Sequence, residues 1–339
     1  MYPPQGYGAG GGSGTPSYLI TTDGTTITAR DGLTGAILAS GTNAATIIND
    51  ALADLPFGGI VYLKGRGESA AAQATYNLGT TTLNLPVIAA GFGVGSLGLI
   101  GEGIRSVLIQ YSGTGDAISL GEEATRHSGY QLGGFMLDQT GTDGTGQAAH
   151  AMRGFQDEIF EILTQDFNVG TYIDGTSGGA GGAGAFGNFT TVRNVYNTRP
   201  NIGFRAGRKS NNPLFLQCQC DRVAADAGTI AFDATGGVGF ADVGKVIGAH
   251  FNRFETAFNI DVQLFNARDV QLEACTNEIT LGANSKFCSF KDIYFGSTVT
   301  NILSDSGTGN RLRHCISVNA TKYSENIIQS ATFAIDSTG

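Results

Sequence analysis

The chain has 339 residues and a formal net charge of −9. That balance argues against wholesale wrapping of nucleic acid, which needs a concentrated positive surface, and the sparse Arg205/Arg208/Lys209 cluster does not supply one. Neutral glycan or protein partners are easier to accommodate than acidic polysaccharides, unless a local patch or a cation intervenes. Fifty-two glycines, seven prolines, twenty phenylalanines, no tryptophan and 14% charged residues fit many short strands and turns, an all-β chain.

In chain order, residues 1–16 are rich in Gly, Pro, Ser and Tyr and show no periodicity, so they read as a flexible tether, either a bare tail or an anchoring peptide ordered by a partner. The start, Met1-Tyr2-Pro3-Pro4, lacks the basic stretch and apolar core of a secretion signal, and no run of 18 apolar residues predicts a transmembrane helix. From Tyr18 to Gly41 short alternating runs are separated by Asp23-Gly24 and by Gly32 to Gly35, which predicts a small β lead-in over 17–41. Thr42 or Asn43 then caps a helix over 43–53, whose Ala44, Ile47, Ile48, Ala51 and Leu52 fall on one face. Gly58-Gly59 allows a tight turn, and Ile60 to Leu63, Tyr76 to Leu78, Thr82 to Pro86 and Leu97 to Ile100 follow as strands.

These residues carry a resemblance. The order TNAATIINDALADLPFGGIVYLKG, ATYNLGTTTLNLP and SLGLIGEGIRSVLIQY resembles the opening segment of the pectin-lyase-like right-handed parallel β-helix proteins, including the pectate-lyase-3-type modules of phage tailspikes. The landmarks are the capping helix, Gly58-Gly59, Tyr76, Pro86 and Gly101-Glu102-Gly103, about a fifth of the chain. The resemblance implies one β-helix over 42–339, often a homotrimer, that works on or holds carbohydrate. It does not imply one activity.

Beyond Asp116 units of roughly 20–30 residues can be laid under one another, each an alternating strand, a polar bend and a second strand, as solenoids repeat. The alignment predicts one inward column of Phe167, Val195, Val223, Phe251, Leu272 and Ile293, and another of Phe204, Ile230, Phe258, Ile279 and Ile302. Thr140 to Ala149 and Gly175 to Gly187 read as projecting loops. The tail from Ser324 to Gly339 is expected to finish the stack as strands or to pair with neighbouring subunits. Five cysteines without CxxC spacing, mostly at apolar strand positions, read as small reduced hydrophobes, so neither zinc nor another metal or cofactor is expected.

Glycan cleavage on this fold needs either two carboxylates at fixed separation or a base with neutralisation of a uronate. No Asp-Asp with a Gly-His-Gly segment, no Arg-x-x-Pro-x-x-Arg and no acidic calcium cluster is present. Asp166, Asn194, Asp221 or Arg222, His250, Gln271 and Asp292 align just before the inward column and could line one groove. Asp138 stands at the end of another strand. Asp138, Asp166, Asp221 and His250 are the candidate catalytic residues, whereas His127, His150 and His314 read as hydrogen-bonded structure. The leading expectation is a virion structural protein made in the host cytoplasm. It would be a tailspike-like or capsid-decorating trimer, attached to other virion proteins through residues 1–41 and contacting a host surface glycan, with no nucleic acid partner and no membrane insertion. The alternative is a glycoside hydrolase or polysaccharide lyase.

Overall fold

The computed structural model describes residues 15–65, 73–88, 95–122, 125, 127–175, 187–207, 210–235, 244–296 and 301–317. The tether over 1–14, most of the glycine-rich loop and the C-terminal tail lie outside them. The described residues form a right-handed parallel β-helix of three sheets with 19, nine and four strands. Ile60 pairs in parallel with Gly98, Gly98 with Gln131, Gln131 with Glu158, Glu158 with Thr191 and Thr191 with Leu214. The ladder continues through Lys245, Asn266, Ser289 and Arg311. Each coil thus satisfies the backbone groups of the next, and open edges remain only at the ends.

The helix Ala44–Ala53 closes one end. Asn43 caps it by accepting from the Thr46 amide at 3.1 Å, and Ala44, Ala45, Ile47, Ile48, Ala51 and Leu52 are buried. Gly58 and Gly59 are required just beyond it. Both have positive φ, and a Cβ would fall 2.4 Å from the Ser96 carbonyl oxygen and 2.4 Å from Ser17 Oγ respectively. The lead-in is an antiparallel meander, Tyr18–Thr22, Ile27–Asp31 and Ile37–Gly41, whose first strand joins the long sheet beside Gly59–Leu63. No helix among the described residues is long and apolar enough to cross a membrane.

From Gln131 onward each coil crosses the long sheet as two short strands separated by one residue in the left-handed region. In register these are Gly134, Glu161, Asn194, Gln217, Gly248, Asp269, Asp292 and His314. A second left-handed position, Asp166, Arg199, Arg253 or Ala274, turns the chain toward the nine-stranded sheet. Non-glycine residues pay for such a bend, and Asn and Asp pay least.

Inside the later coils Phe204, Phe215, Phe232, Phe251, Phe258, Phe265 and Phe290 form a continuous aromatic stack with centroids 4.9–6.2 Å apart. All five cysteines are buried in the same core, where burial pushes their thiols well above the ordinary range. Glu278 is also fully buried, opposite Ala257 and Ile302, and burial pushes its carboxyl up to about 8.

Several details differ from the sequence reading. Phe251 pairs with Leu272 and Phe258 with Ile279 as expected. Their columns, however, run on through Asn197, Cys220 and Phe295, and through Phe232 and Leu303, so Phe167, Val195, Val223, Ile293, Ile230 and Ile302 fall outside them. Val223 is 78% exposed. Each left-handed bend consumes a residue and resets the inside–outside alternation, which a strict period of two cannot follow. Thr145–Met152 is a strand paired on both sides, so only Thr140 to Gly144 projects as a loop.

Candidate functional site

The outer face of the long sheet carries the residues with the most chemistry. In the second strand of successive coils Tyr196, Gln219, His250, Gln271 and Tyr294 stand in one register row. Ladder geometry spaces them by about 4.8 Å per coil. Gln219, Gln271 and Tyr294 are exposed, and Tyr196 and His250 half-buried. Two residues on, Asp138, Gln165, Thr198, Asp221, Asn252 and Glu273 form a parallel row on the same face. A shallow concavity of about 500 Å³ lies between the bend and the first row, lined by Asn194, Val195, Tyr196, Gln217, Gln219 and Gly248.

Local pairs hold these side chains. Asn252 Nδ2 donates to Asp221 Oδ1 at 2.7 Å, and Arg253 Nη1 lies 3.6 Å from the same oxygen. His250 Nε2 is 3.3 Å from Glu273 Oε2, and Gln271 donates to the other Glu273 oxygen. At the corner Arg199 grips Asp166 with two guanidinium nitrogens, Nε at 2.6 Å from Oδ1 and Nη2 on Oδ2. Asp138 is the ladder partner of the adjoining Gln165. Burial pushes its carboxyl above the ordinary range, the Asp166 charge adds to that rise, and Arg199 opposes it.

The four sequence-predicted residues therefore share one ridge, but they do not form one site. Asp138 and Asp221 are three ladder steps apart, roughly 14 Å, beyond the reach of a carboxylate pair. Asp166 sits at the corner bend, Asp221 in the outer row and His250 one row inward. The aligned groove separates likewise, because Asn194 and Asp292 are bend residues whereas His250 and Gln271 are true row members. Glu273, Tyr196 and Tyr294 were not singled out from sequence. Glu273 completes the row two coils beyond Asp221, roughly 9.6 Å along the ladder. The signal for the two tyrosines was the position one before Asn197 and Phe295, the ladder partners of the inward Cys220 and Leu272.

His127 and His150 are held in structural contacts. His127, on a short strand, has its Nε2 2.7 Å from Asp157 in the core. His150, also on a strand, bonds Asp116 at 2.8 Å and stacks on Tyr172. His314 occupies the last left-handed bend. Among the described residues no group of three or more His, Cys, Asp or Glu side chains is placed to hold a metal ion.

No family model matches the chain, and no curated protein matches it. Solved structures do. ORF18 of Geobacillus virus E2 superposes with a TM-score of 0.55 at 16% identity, over 81% of this chain and 54% of that one. The tailspike gp49 of Acinetobacter baumannii bacteriophage Fri1, a capsular polysaccharide depolymerase, gives 0.54 at 12%, over 80% and 53%. An alginate lyase from Paenibacillus sp. str. FPU-7 gives 0.50 at 11%, over 81% and 93%. These likenesses show the fold, a parallel β-helix. This chain spans about half the length of the two viral proteins.

Proposed function

We propose that the protein is a tailspike-like β-helix of a virus particle that holds a host-surface glycan along the outer face of its long sheet. The observation that carries this reading is the straight row Tyr196, Gln219, His250, Gln271 and Tyr294. It presents two aromatic rings and three hydrogen-bonding side chains at coil spacing on an open face. Rings offer a flat apolar surface to a sugar, and amides and imidazole address its hydroxyls. The similarity to a viral ORF product and a phage tailspike supports the virion setting. Exposed Leu33, Ile37 and Leu38 on the outer meander give residues 1–41 an apolar surface for attachment to other virion proteins. Assembly as a homotrimer belongs to the same proposal.

A glycan array probed with the full-length chain and with Tyr196→Ala tests the reading. Binding that drops in the variant supports it, and equal signals contradict it. Light scattering tests the trimer, and a monomer at micromolar concentration contradicts that part.

One observation favours a second reading, hydrolysis at the corner. Asp138, with its raised carboxyl, has the character of a general acid next to the charged Asp166. Arg199 holds both Asp166 oxygens, which leaves that carboxylate poorly placed to activate water. Binding without cleavage is therefore the primary reading. Release of shortened glycan by the wild type and its loss in Asp138→Asn would reverse that order.

A further inference from the structure

The other half of the same face has an unused chemistry. In the first strand of each coil Leu214, Lys245, Asn266, Ser289 and Arg311 form one register row, and Leu216, Ile247, Arg268, Lys291 and Arg313 form the next. Lys245, Arg268, Lys291 and Arg311 are exposed. Five cations thus gather within four coils, against Asp269 and Asp292 on the bend, in a chain whose net charge is −9. Two of the contacts that neutralise these cations are loose. Arg268 lies 3.8 Å from Asp269 and Lys291 3.5 Å from Asp292, all at well-exposed side chains, where such pairs are weak and readily exchanged. Lys245, Arg268 and Lys291, with Ile247, Asn266 and Ser289, line a groove of about 340 Å³.

We infer that this groove is a subsite for the negative groups of an acidic glycan, one bearing carboxylate or sulfate on successive sugars. Arg268, Lys291 and Arg313 recur in one row at the ladder spacing of about 4.8 Å, with Lys245 and Arg311 in the row beside it, so a polymer with one charge per sugar can meet a cation at each coil. Half-buried Ile247 offers an apolar floor for a sugar ring, and Asn266 and Ser289 add hydrogen-bonding groups beside the charges. Duplex nucleic acid, with a charge every ~1.7 Å of axis, needs a far longer basic surface than this groove provides. The inference rests on the reading of the neighbouring Tyr196 row as glycan-binding, and it names the class of glycan.

The test is calorimetric titration of the full chain with oligomers of polygalacturonate, dextran sulfate and neutral dextran, at low and at physiological salt. The comparison uses Arg268→Glu/Lys291→Glu, the milder Arg268→Gln/Lys291→Gln and Arg105→Glu, an exposed cation in an early coil. Thermal melting confirms that each variant folds. The expected result is binding of an acidic oligomer that weakens with salt, falls tenfold or more in the Glu pair, falls less in the Gln pair and is unchanged in Arg105→Glu. Preference between the carboxylated and the sulfated oligomer identifies which anion the groove takes. Binding of dextran alone, lost in Tyr196→Ala, overturns the inference and leaves the proposed function standing. Binding of no oligomer overturns the inference and, together with a blank glycan array, the proposed function as well. Acidic binding indifferent to both pair variants overturns the inference, as does a change of oligomeric mass in the Glu pair without any glycan binding, which would make the patch a contact between copies.

Discussion

Two strips of one sheet, separated only by a single left-handed residue per coil, present opposite chemistry. On one side of the bend stand Lys245, Arg268, Lys291 and Arg311. On the other stand Tyr196, Gln219, His250, Gln271 and Tyr294, bordered by Asp138, Asp221 and Glu273. The strips share a ladder and a core, so the difference lies in the side chains alone. A solenoid turns residues a coil apart in sequence into neighbours. Whole-chain charge therefore says little about a face, and a chain of charge −9 can carry a basic groove.

The largest expected effect breaks both strips together. Phe258 stacks with Phe232, Phe251, Phe265 and Phe290 beneath the sheet, so Phe258→Ala should cost about 3–5 kcal/mol. Denaturant unfolding measures this, and binding through either strip should weaken in parallel. Glu278 is the next probe of that shared core. Its folded carboxyl titrates near 8, above the ordinary 4.5, so the folded state holds a proton that the unfolded chain releases. Stability then falls as pH rises between those values. Glu278→Met should raise the melting temperature strongly at pH 9 and little at pH 5, with a difference of up to roughly 4 kcal/mol. Equal gains at both pH values would contradict the assignment.

Two smaller changes address the strips separately. Gly248 is a bend position with φ of 66°, and Gly248→Ala should cost about 1–2 kcal/mol in the left-handed region. Because Gly248 links Ile247 to the His250 strand, that change should also loosen any ligand that crosses the bend. Tyr196→Ala should weaken neutral-glycan binding by about tenfold at most, leaving the salt dependence of acidic-glycan binding intact. Titrations at two salt concentrations separate the two contributions.

Much of this was legible in the sequence, for identifiable reasons. The capping helix announced itself through Asn43 and its apolar face, the tight turn through Gly58-Gly59, and the inward pairs Phe251/Leu272 and Phe258/Ile279 through the repeat. The bends were not legible, because only Gly134 and Gly248 among the eight are glycine and the others include Glu161, Gln217, Asp269 and His314. Without them the alignment placed Asn194, His250 and Asp292 in one groove, when two of these turn the chain and one faces outward. The basic groove was hidden for the same reason. Lys245, Arg268 and Lys291 are more than twenty residues apart, and only their exact coil register brings them together.

The most direct test is a crystal structure of the protein with a bound polygalacturonate hexasaccharide. Sugar density should run from coil to coil along the Gly248–Asp269 bend, with carboxylates toward Arg268 and Lys291 and rings toward the Tyr196–Tyr294 row. Density confined to the nine-stranded sheet, or a saturated crystal with this face bare, would contradict it.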